Sequence, residues 1–153
     1  MAKGKWAHEQ RAKVEMGEDW MSYEEWVEQM PEAIKKDAPW RFDAYRKALY
    51  MYDLVWPDCD LLMRDVRGRE VTRQLIRASG SISANMEEGY GRGYSKDRDY
   101  FLRIALGSGR ETRGWYVRSR HLLSAEVLDH RINLASEIIA LLVTEISKKR
   151  RAH

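Results

Sequence analysis

The sequence predicts an all-α protein, namely an antiparallel up-and-down four-helix bundle preceded by one short extra helix. The chain of 153 residues contains only three prolines and ten glycines, while 44% of its residues are hydrophobic and 33% are charged. This composition is typical of helices joined by short turns. Four long segments repeat apolar residues at +3 and +4 spacing, and short stretches with helix-ending or helix-starting residues separate them. One domain of this length buries a sufficient core without disulfides or metals.

The first long segment has an uninterrupted helical rhythm. Proline inside a helix removes a hydrogen bond and costs about 3 kcal/mol, so Pro57 would ordinarily end the helix. Because the rhythm keeps its phase on both sides, we expect one long helix that is kinked near Trp56. The apolar positions are Phe42, Tyr45, Leu49, Tyr52, Trp56, Cys59, Met63 and Val66.

The second segment is expected to follow a break at Arg67, Gly68 and Arg69. Its rhythm comprises Val71, Leu75, Ala78, Ile82, Asn85 and Gly89. Gly89, Gly91 and Gly93 predict its end, since glycine enters left-handed conformations without penalty. Ser95 is the expected N-cap of the next helix.

The last two segments differ in polarity. The third carries a polar inward seam of Phe101, Ile104, Ser108, Glu111, Trp115, Arg118 and Leu122, with Ala105, Thr112 and Ser119 alongside it. Ser124 is the expected cap of the fourth, whose seam is Leu128, Ile132, Ala135, Ile139, Leu142 and Ile146. Leu134, Ile138 and Leu141 widen that apolar face, which predicts a second buried surface between subunits.

The chain divides into an extension over 1–39, a bundle over 40–150 and a basic tail over 151–153. Ser22 and Glu25 have capping-box spacing, so we expect one short helix in the extension. Trp6, Trp20 and Trp26 are too many large aromatic residues for a solvated tail. They are expected to dock on the bundle, on a neighbouring subunit or on a partner.

Several classes of protein are disfavoured. No run of eighteen apolar residues is present, so no membrane association is expected, and the single cysteine, Cys59, favours a reducing cytoplasm. The four histidines show no i, i+4 pairing, so neither a metal nor another cofactor is expected. Asp58 and Asp60 are interpreted as a solvated acidic patch beside a half-buried thiol.

Five polar residues fall on the predicted inward faces: Ser81, Asn85, Glu88, Ser108 and Glu111. They could form a catalytic or metal site, or a buried network that fixes the register of the helices. Di-metal bundles place histidine three residues after glutamate, whereas Gly91 and Gly114 stand at those positions here. The structural network is therefore favoured.

Basic residues are concentrated in the second part of the chain. Up to Asp60 there are 9 Lys and Arg against 13 Asp and Glu, and after it 18 against 11. The third segment carries an outward ridge of Arg103, Arg110, Arg113 and Arg120, to which the second adds Arg73 and Arg77. Like charges at this spacing weaken an isolated helix, so nucleic acid is the favoured partner of this ridge. An acidic protein groove and simple solubility are the alternatives.

The glycine-rich turn could hold a phosphate or be a plain turn. It lacks the Gly-Lys-Ser/Thr ending of a P-loop, but Arg92, Lys96 and Arg98 accompany a helix N-terminus. Three tyrosines nearby could stack on single-stranded bases or serve in packing: Tyr90, Tyr94 and Tyr100.

The string from Ser81 to Arg92, followed by Ser95-Lys96-Asp97 and by Gly107-Ser108 with Glu111, resembles a known family. It is the four-helix-bundle family first named for proteins encoded in intervening sequences of bacterial 23S ribosomal RNA genes, and the resemblance covers about residues 42 to 148. The family is similar in fold to the accessory variability proteins of diversity-generating retroelements, which form pentamers beside a reverse transcriptase and its RNA. The resemblance implies no enzymatic activity, and it places the family's signature polar positions at Asn85, Glu88 and Glu111.

The sequence differs from the family pattern at three places. Glu87 replaces a small residue, Arg67-Gly68-Arg69 replaces a proline, and Leu122-Leu123-Ser124 lacks the usual glycine. The leading hypothesis is a non-enzymatic homo-oligomer, by resemblance a pentamer, which binds RNA or DNA and serves as the accessory subunit of a reverse transcriptase. One alternative is a protein-interaction scaffold that recruits a partner through 1–39, and another is a hydrolase or metal enzyme built on Glu88, Glu111 and Asn85.

Overall fold

A computed structural model describes residues 20–93 and 96–151. Within those ranges the chain forms six α-helices and one 3-10 turn, and no strand. The helices are α1 (Tyr23–Gln29), α2 (Glu32–Lys35), α3 (Asp43–Leu62), α4 (Val66–Gly91), α5 (Lys96–Arg118) and α6 (Ala125–Arg151), and the 3-10 turn is Ala38–Arg41. None of these helices combines the length and apolar character needed to cross a bilayer.

The four long helices form the predicted bundle. Helix α4 packs against α3 and α5, and α6 closes the ring by packing against α5 and α3. The connections between consecutive long helices are short, so sequential neighbours run antiparallel. The prediction of an all-α four-helix bundle is confirmed.

Helix α3 continues through Pro57, as the unbroken rhythm predicts, and ends at Leu62. The first break, however, was placed too late, because it lies at 63–65 and not at Arg67–Arg69. Asp65 caps α4 by accepting a hydrogen bond from the Arg67 backbone NH at 2.8 Å. Gly68 therefore lies inside the first turn of α4, where a Cβ atom would collide with the Leu62 carbonyl. The absence of a side chain at Gly68 permits the close approach of α4 to the end of α3, and this glycine does not mark a turn.

The break between α4 and α5 lies at the predicted glycines. Helix α4 ends at Gly91, and Gly93 adopts a left-handed φ of 75°. A Cβ atom on Gly89 would lie 3.2 Å from Cβ of Phe101, so this glycine lets α5 pack closely against the end of α4. The predicted N-cap, Ser95, lies outside the described residues.

The inward face of α5 agrees only in part with the predicted seam. Ser108 and the accompanying Ala105, Thr112 and Ser119 are buried as expected. The buried residues are Arg98, Leu102, Ala105, Ser108, Gly109, Thr112, Tyr116 and Ser119. Glu111 and Arg118, which were expected on that seam, are exposed. Small residues occupy the centre of the contact, where Cβ of a substituted Gly109 would lie 3.4 Å from Ile139, while Phe101, Ile104 and Trp115 pack at its edge. The predicted seam followed the large apolar residues, so it is rotated about the helix axis relative to the observed buried face.

Helix α6 begins as predicted, because the Val127 backbone NH donates to Ser124 Oγ at 3.3 Å. Its additional apolar residues do not form a second surface as expected. Ile138 is fully buried and Leu134 is 7% exposed within the single chain, while Leu141 is half-buried. These residues therefore belong to the core of one subunit and give no support for a subunit interface.

The extension forms two short helices, because Pro31 separates α1 from α2, where one helix was expected. The capping box of Ser22 and Glu25 is present. Trp26 is fully buried and donates from Nε1 to Asp53 Oδ2 at 2.7 Å. Trp20 lies with its ring centroid 4.3 Å from that of His130. Both tryptophans thus dock on the bundle, one of the predicted outcomes, while Trp6 lies outside the described residues.

Candidate nucleic-acid interface

One face of α5 is open to solvent, since the helix packs between α4 and α6. Its outermost residues follow one another at +3 and +4 spacing and form a single stripe along the helix. We call this set the α5 stripe: Tyr100, Arg103, Gly107, Arg110, Gly114 and Val117. Tyr100 is 62% exposed and Val117 is 44% exposed, so an apolar side chain lies at each end of the stripe, with the two arginines between them.

Arg103 and Arg110 are the two outward cations of the stripe, and both are exposed, as the ridge prediction requires. Neither makes a side-chain hydrogen bond or an ion pair with any residue in 20–93 or 96–151. Their separation of seven positions in the sequence corresponds to about 10.5 Å along the helix axis. The pair therefore offers two unneutralised positive charges on a rigid element.

Gly107 lies between these two arginines. A Cβ atom built at Gly107 meets nothing within 4 Å, so packing within the chain does not require glycine there. A glycine inside a helix costs about 1 kcal/mol relative to alanine. The result is an exposed strip of helix backbone between two cations, where an anionic chain can approach closely.

The other two arginines of the predicted ridge do not continue it. Arg113 is half-buried and donates from Nη1 to Ser136 Oγ of α6 at 3.2 Å. Arg120 lies beyond the end of α5 and donates to the Val117 carbonyl at 3.0 Å. The ridge was expected to be continuous, but the successive steps rotate around the helix axis, so only Arg103 and Arg110 point outward together.

Arg73 and Arg77 lie on α4 beside acidic groups. Nη1 of Arg73 is 3.5 Å from Glu70 Oε1, and Nη2 of Arg77 is 3.2 Å from Glu111 Oε1. Exposed pairs of this kind contribute little and are screened by salt. Each of these two arginines thus has an acidic neighbour, unlike Arg103 and Arg110, and Arg77 lies beside α5 through its contact with Glu111.

The basic residues of the glycine turn form a separate group at one end of the bundle. Arg92 donates to Glu88 Oε1 from Nε at 3.0 Å and from Nη2 at 2.8 Å. Arg98 is only 6% exposed, and its guanidinium lies 4.0 Å from the centre of the Tyr90 ring. Lys96 is exposed. Tyr94, a candidate for base stacking, lies outside the described residues.

The predicted polar core is present only in part. Asn85 Nδ2 donates to the Ser81 carbonyl at 2.7 Å, and Ser108 Oγ donates to Ser81 Oγ at 3.0 Å, so these three residues connect α4 and α5. Glu88 and Glu111 were placed inside wrongly, because their side chains are 50% and 42% exposed. The rotated seam of α5 explains the error at Glu111, whereas Glu88 lies on the exposed side of α4. The carboxylate pair required by the hydrolase alternative is not assembled in the core.

The main buried polar network was missed from the sequence. Asp58 and Arg131 are both fully buried and form a bidentate pair, with Nε to Oδ2 at 2.8 Å and Nη2 to Oδ1 at 3.1 Å. The Tyr116 hydroxyl donates to the same Oδ2 at 2.6 Å. The interpretation of Asp58 as a solvated acid is therefore wrong. One signal was available, since Asp58 lies four residues from both Leu54 and Leu62 on the buried side of α3.

Titratable groups around this network are shifted by their surroundings. Burial, and then the positive charge of Arg131, lower the pKa of His130 to about 4, so the ring is neutral at physiological pH. Burial raises the pKa of the Cys59 thiol to about 12, which removes it as a nucleophile at neutral pH. Burial likewise raises the pKa of Tyr116 well above its ordinary value. These shifts follow from burial in the core and from the neighbouring charges of Asp58 and Arg131.

No group of three or more His, Cys, Asp or Glu side chains is arranged to hold a metal ion in residues 20–93 and 96–151.

A family model described as "23S rRNA-intervening sequence protein" matches residues 42–144. The chain belongs to this family. Proteins that share a fold need not share a partner. Family membership therefore establishes the bundle fold but does not identify a ligand of the α5 stripe.

A solved structure supports the family fold. The chain is similar to a protein of unknown function from the S23 ribosomal protein family of Bacteroides thetaiotaomicron, with 25% identity and a TM-score of 0.60. The match covers 67% of this chain and 97% of that one. A comparison with curated proteins finds no significant match.

Proposed function

We propose that this family member is a non-enzymatic nucleic-acid-binding protein, and that the α5 stripe is its docking face. The observation that carries the proposal is the pair Arg103 and Arg110, which are exposed, have no acidic partner in the described chain and flank the open backbone at Gly107. Unneutralised arginines on a rigid helix are the groups that contact phosphates.

The spacing of the two arginines suits a phosphate backbone. Their separation of about 10.5 Å along the axis is close to three steps of about 3.4 Å each along one strand of duplex DNA. The exposed ring of Tyr100 at one end of the stripe offers a stacking surface for an unpaired base. The stripe thus combines positioning contacts with one contact suited to single strands.

We further propose that the protein acts in the cytoplasm as a homo-oligomer, a pentamer by family resemblance, and as the accessory subunit of a reverse transcriptase. Support comes from the resemblance to accessory variability proteins and from family membership. In a ring of identical subunits the stripe is repeated, and several weak contacts to one strand then add through effective concentration.

The alternative, a scaffold that recruits a partner through its extension, receives less support. Trp26 is fully buried against α3, and Trp20 packs on His130, so neither tryptophan is presented to a partner. The basic stripe, in contrast, consists of exposed groups.

The decisive experiment removes the two outward charges. The double variant R103Q/R110Q is compared with R64Q/R69Q, which removes two exposed arginines at the α3–α4 junction and gives the same net charge. Binding of a single-stranded RNA and of a DNA duplex is measured by fluorescence anisotropy over a range of salt concentrations. Each lost phosphate contact lowers the log-log salt slope by about 0.7 for single strands or about 0.9 for duplex.

We expect R103Q/R110Q to reduce the slope by about 1.4 or about 1.8 respectively, and R64Q/R69Q to leave it nearly unchanged. The variant G107E adds a carboxylate where no atom lies within 4 Å, so it should abolish binding without disturbing the fold. Equal effects of the two double variants, or no binding of either nucleic acid at low salt, would exclude the α5 stripe as the docking face.

A further inference from the structure

A cavity of about 290 Å³ lies between the extension and the bundle, where α1 and α2 meet α3 and α4. Its lining in the described chain comes from residues 26–87, and the α5 stripe takes no part in it. One wall is aliphatic and comprises Met30, Pro31, Ile34 and Leu49. The side chain of Ile34 is 39% exposed, so the cavity borders on solvent.

The second wall of this cavity is aromatic and comprises Trp26, Tyr45 and Tyr52. Trp26 is fully buried and Tyr45 is 5% exposed, while Tyr52 is half-buried. The faces of aromatic rings carry partial negative charge and attract cations. The walls therefore suit apolar groups and cationic groups.

Asp53 places a carboxylate at these walls. Its Oδ2 atom accepts the hydrogen bond of 2.7 Å from Trp26 Nε1, and no lysine or arginine in residues 20–93 or 96–151 forms an ion pair with it. A neutral amide could accept the same bond from Trp26, so the contact does not require the negative charge. Burial raises the pKa of Asp53 to about 6, which leaves the group mostly ionised at pH 7. A half-buried charge without a counter-ion in a cleft is typical of a ligand site.

Glu87 adds a second, exposed carboxylate to the lining. Its Oε2 atom accepts a hydrogen bond of 2.8 Å from the Tyr45 hydroxyl. No lysine or arginine lines the cavity in the part of the chain that the structure describes. The charge of the described lining is therefore negative only, which disfavours an anionic ligand and favours a positive one.

We propose that this cavity binds a small aliphatic amine, with its ammonium group on the Asp53 carboxylate and its hydrocarbon body against Met30 and Leu49. The hydrocarbon body is removed from water, and the ion pair forms where the carboxylate is already partly desolvated. The volume of about 290 Å³ lies at the small end of the range for ligand sites, about 300–1,000 Å³. A divalent metal ion fits less well, because it requires several oxygen ligands and the walls are mostly apolar. This inference goes beyond the proposed function and does not depend on it.

The test is a titration of the full chain with n-pentylammonium chloride at pH 7 and constant ionic strength, with 1-pentanol as the neutral analogue. Binding is followed through the indole NH signal of Trp26 in amide NMR spectra, because this NH donates to Asp53. We expect a saturable shift with pentylammonium and an affinity at least tenfold lower for 1-pentanol. D53N keeps the acceptor for Trp26 and loses the charge, so it should lower the affinity for the amine at least tenfold. D129N, at an exposed position on α6, is the matched control and should leave the affinity unchanged.

The pH dependence gives a second readout. The ammonium group binds the ionised carboxylate, so the affinity of wild type should fall as the pH is lowered from 7 to 5, through the pKa of Asp53. The other ionisable groups of the described lining are Tyr45, Tyr52 and Glu87. All three remain in D53N, whose affinity should not change over this range, so the variant separates their titration from that of Asp53.

Equal affinities of wild type and D53N, or equal affinities of wild type for pentylammonium and 1-pentanol, would overturn the proposal. The second comparison uses wild type alone, so it applies even if D53N does not fold. E87Q should weaken binding less than D53N does, and a larger effect of E87Q would contradict the assignment of the ammonium group to Asp53. Failure of the amine titration leaves the test of the α5 stripe unaffected.

Discussion

At the residue scale, burial changes the pKa of Asp53. This carboxylate holds Trp26 of the extension through a hydrogen bond of 2.7 Å to the indole NH. Burial raises the pKa of Asp53 to about 6, and the bond from Trp26 offsets only part of that rise. The unfolded value is 3.8, so between about pH 4 and pH 6 the native state binds more protons than the unfolded state. The contribution of Asp53 to stability therefore falls as the pH rises through this window.

The corresponding prediction concerns D53N, which keeps an oxygen acceptor for Trp26 but cannot ionise. The free energy of unfolding of D53N minus that of wild type should increase by about 1–2 kcal/mol from pH 4 to pH 7. The reason is that wild type alone must bury a charge at neutral pH. Urea denaturation at both pH values measures this difference. D129N, at an exposed position, is the control, and an equal change in D53N and D129N would contradict the assignment.

The buried pair of Asp58 and Arg131 leads to a second prediction at this scale. D58A leaves Arg131 without a counter-charge in the core, which should cost about 3–5 kcal/mol. Y116F removes one hydrogen bond and keeps the pair, so it should cost only about 1 kcal/mol. Chemical denaturation of both variants measures the ratio, and similar costs would show that the ion pair is not the dominant interaction.

At the scale of the elements, the glycines of α4 and α5 have opposite roles. Gly68 stands in the first turn of α4, where a side chain would meet the Leu62 carbonyl and the Leu122 side chain. Gly107 stands on the open face of α5, with no atom near the position of a Cβ. The same residue type is required by packing in one helix and costs stability in the other.

The prediction is a contrast between two alanine variants. G107A should stabilise the protein by about 1 kcal/mol through helix propensity alone. G68A should destabilise it by more than 2 kcal/mol, since α4 must shift away from the end of α3. Thermal unfolding of both proteins measures the contrast, and destabilisation by G107A would show that the outer face of α5 is packed in the native assembly.

At the scale of the whole molecule, one chain covers its own core. Leu134 and Ile138 are buried against the other helices of the same chain, so the proposed oligomer depends on other surfaces. With a subunit of 18.0 kDa, a pentamer has a mass of about 90 kDa. Native mass spectrometry at micromolar concentration should show this species. A single species at the mass of one chain would contradict the pentamer and leave the α5 stripe to act alone.

Much of the architecture was predictable because its signals are local. The periodicity of α3 outweighs Pro57, and Ser22, Ser124 and Gly93 mark helix ends through their own backbone and side-chain geometry. The outward position of Arg103 and Arg110 follows from the same periodicity, since seven residues nearly complete two turns. These features are read within a few residues of the chain, so the sequence by itself determined them.

The tertiary structure alone decided which residues meet across the bundle. The pair of Asp58 and Arg131 joins α3 to α6 over a long separation in sequence, and no local pattern matches an acid to its base at that distance. Helix α5 rotates so that Ala105 and Gly109 lie at the centre of the contact, which moves Glu111 to the surface. Packing density determines that rotation, because small residues allow the closest approach of helices, and packing is a property of the assembled fold.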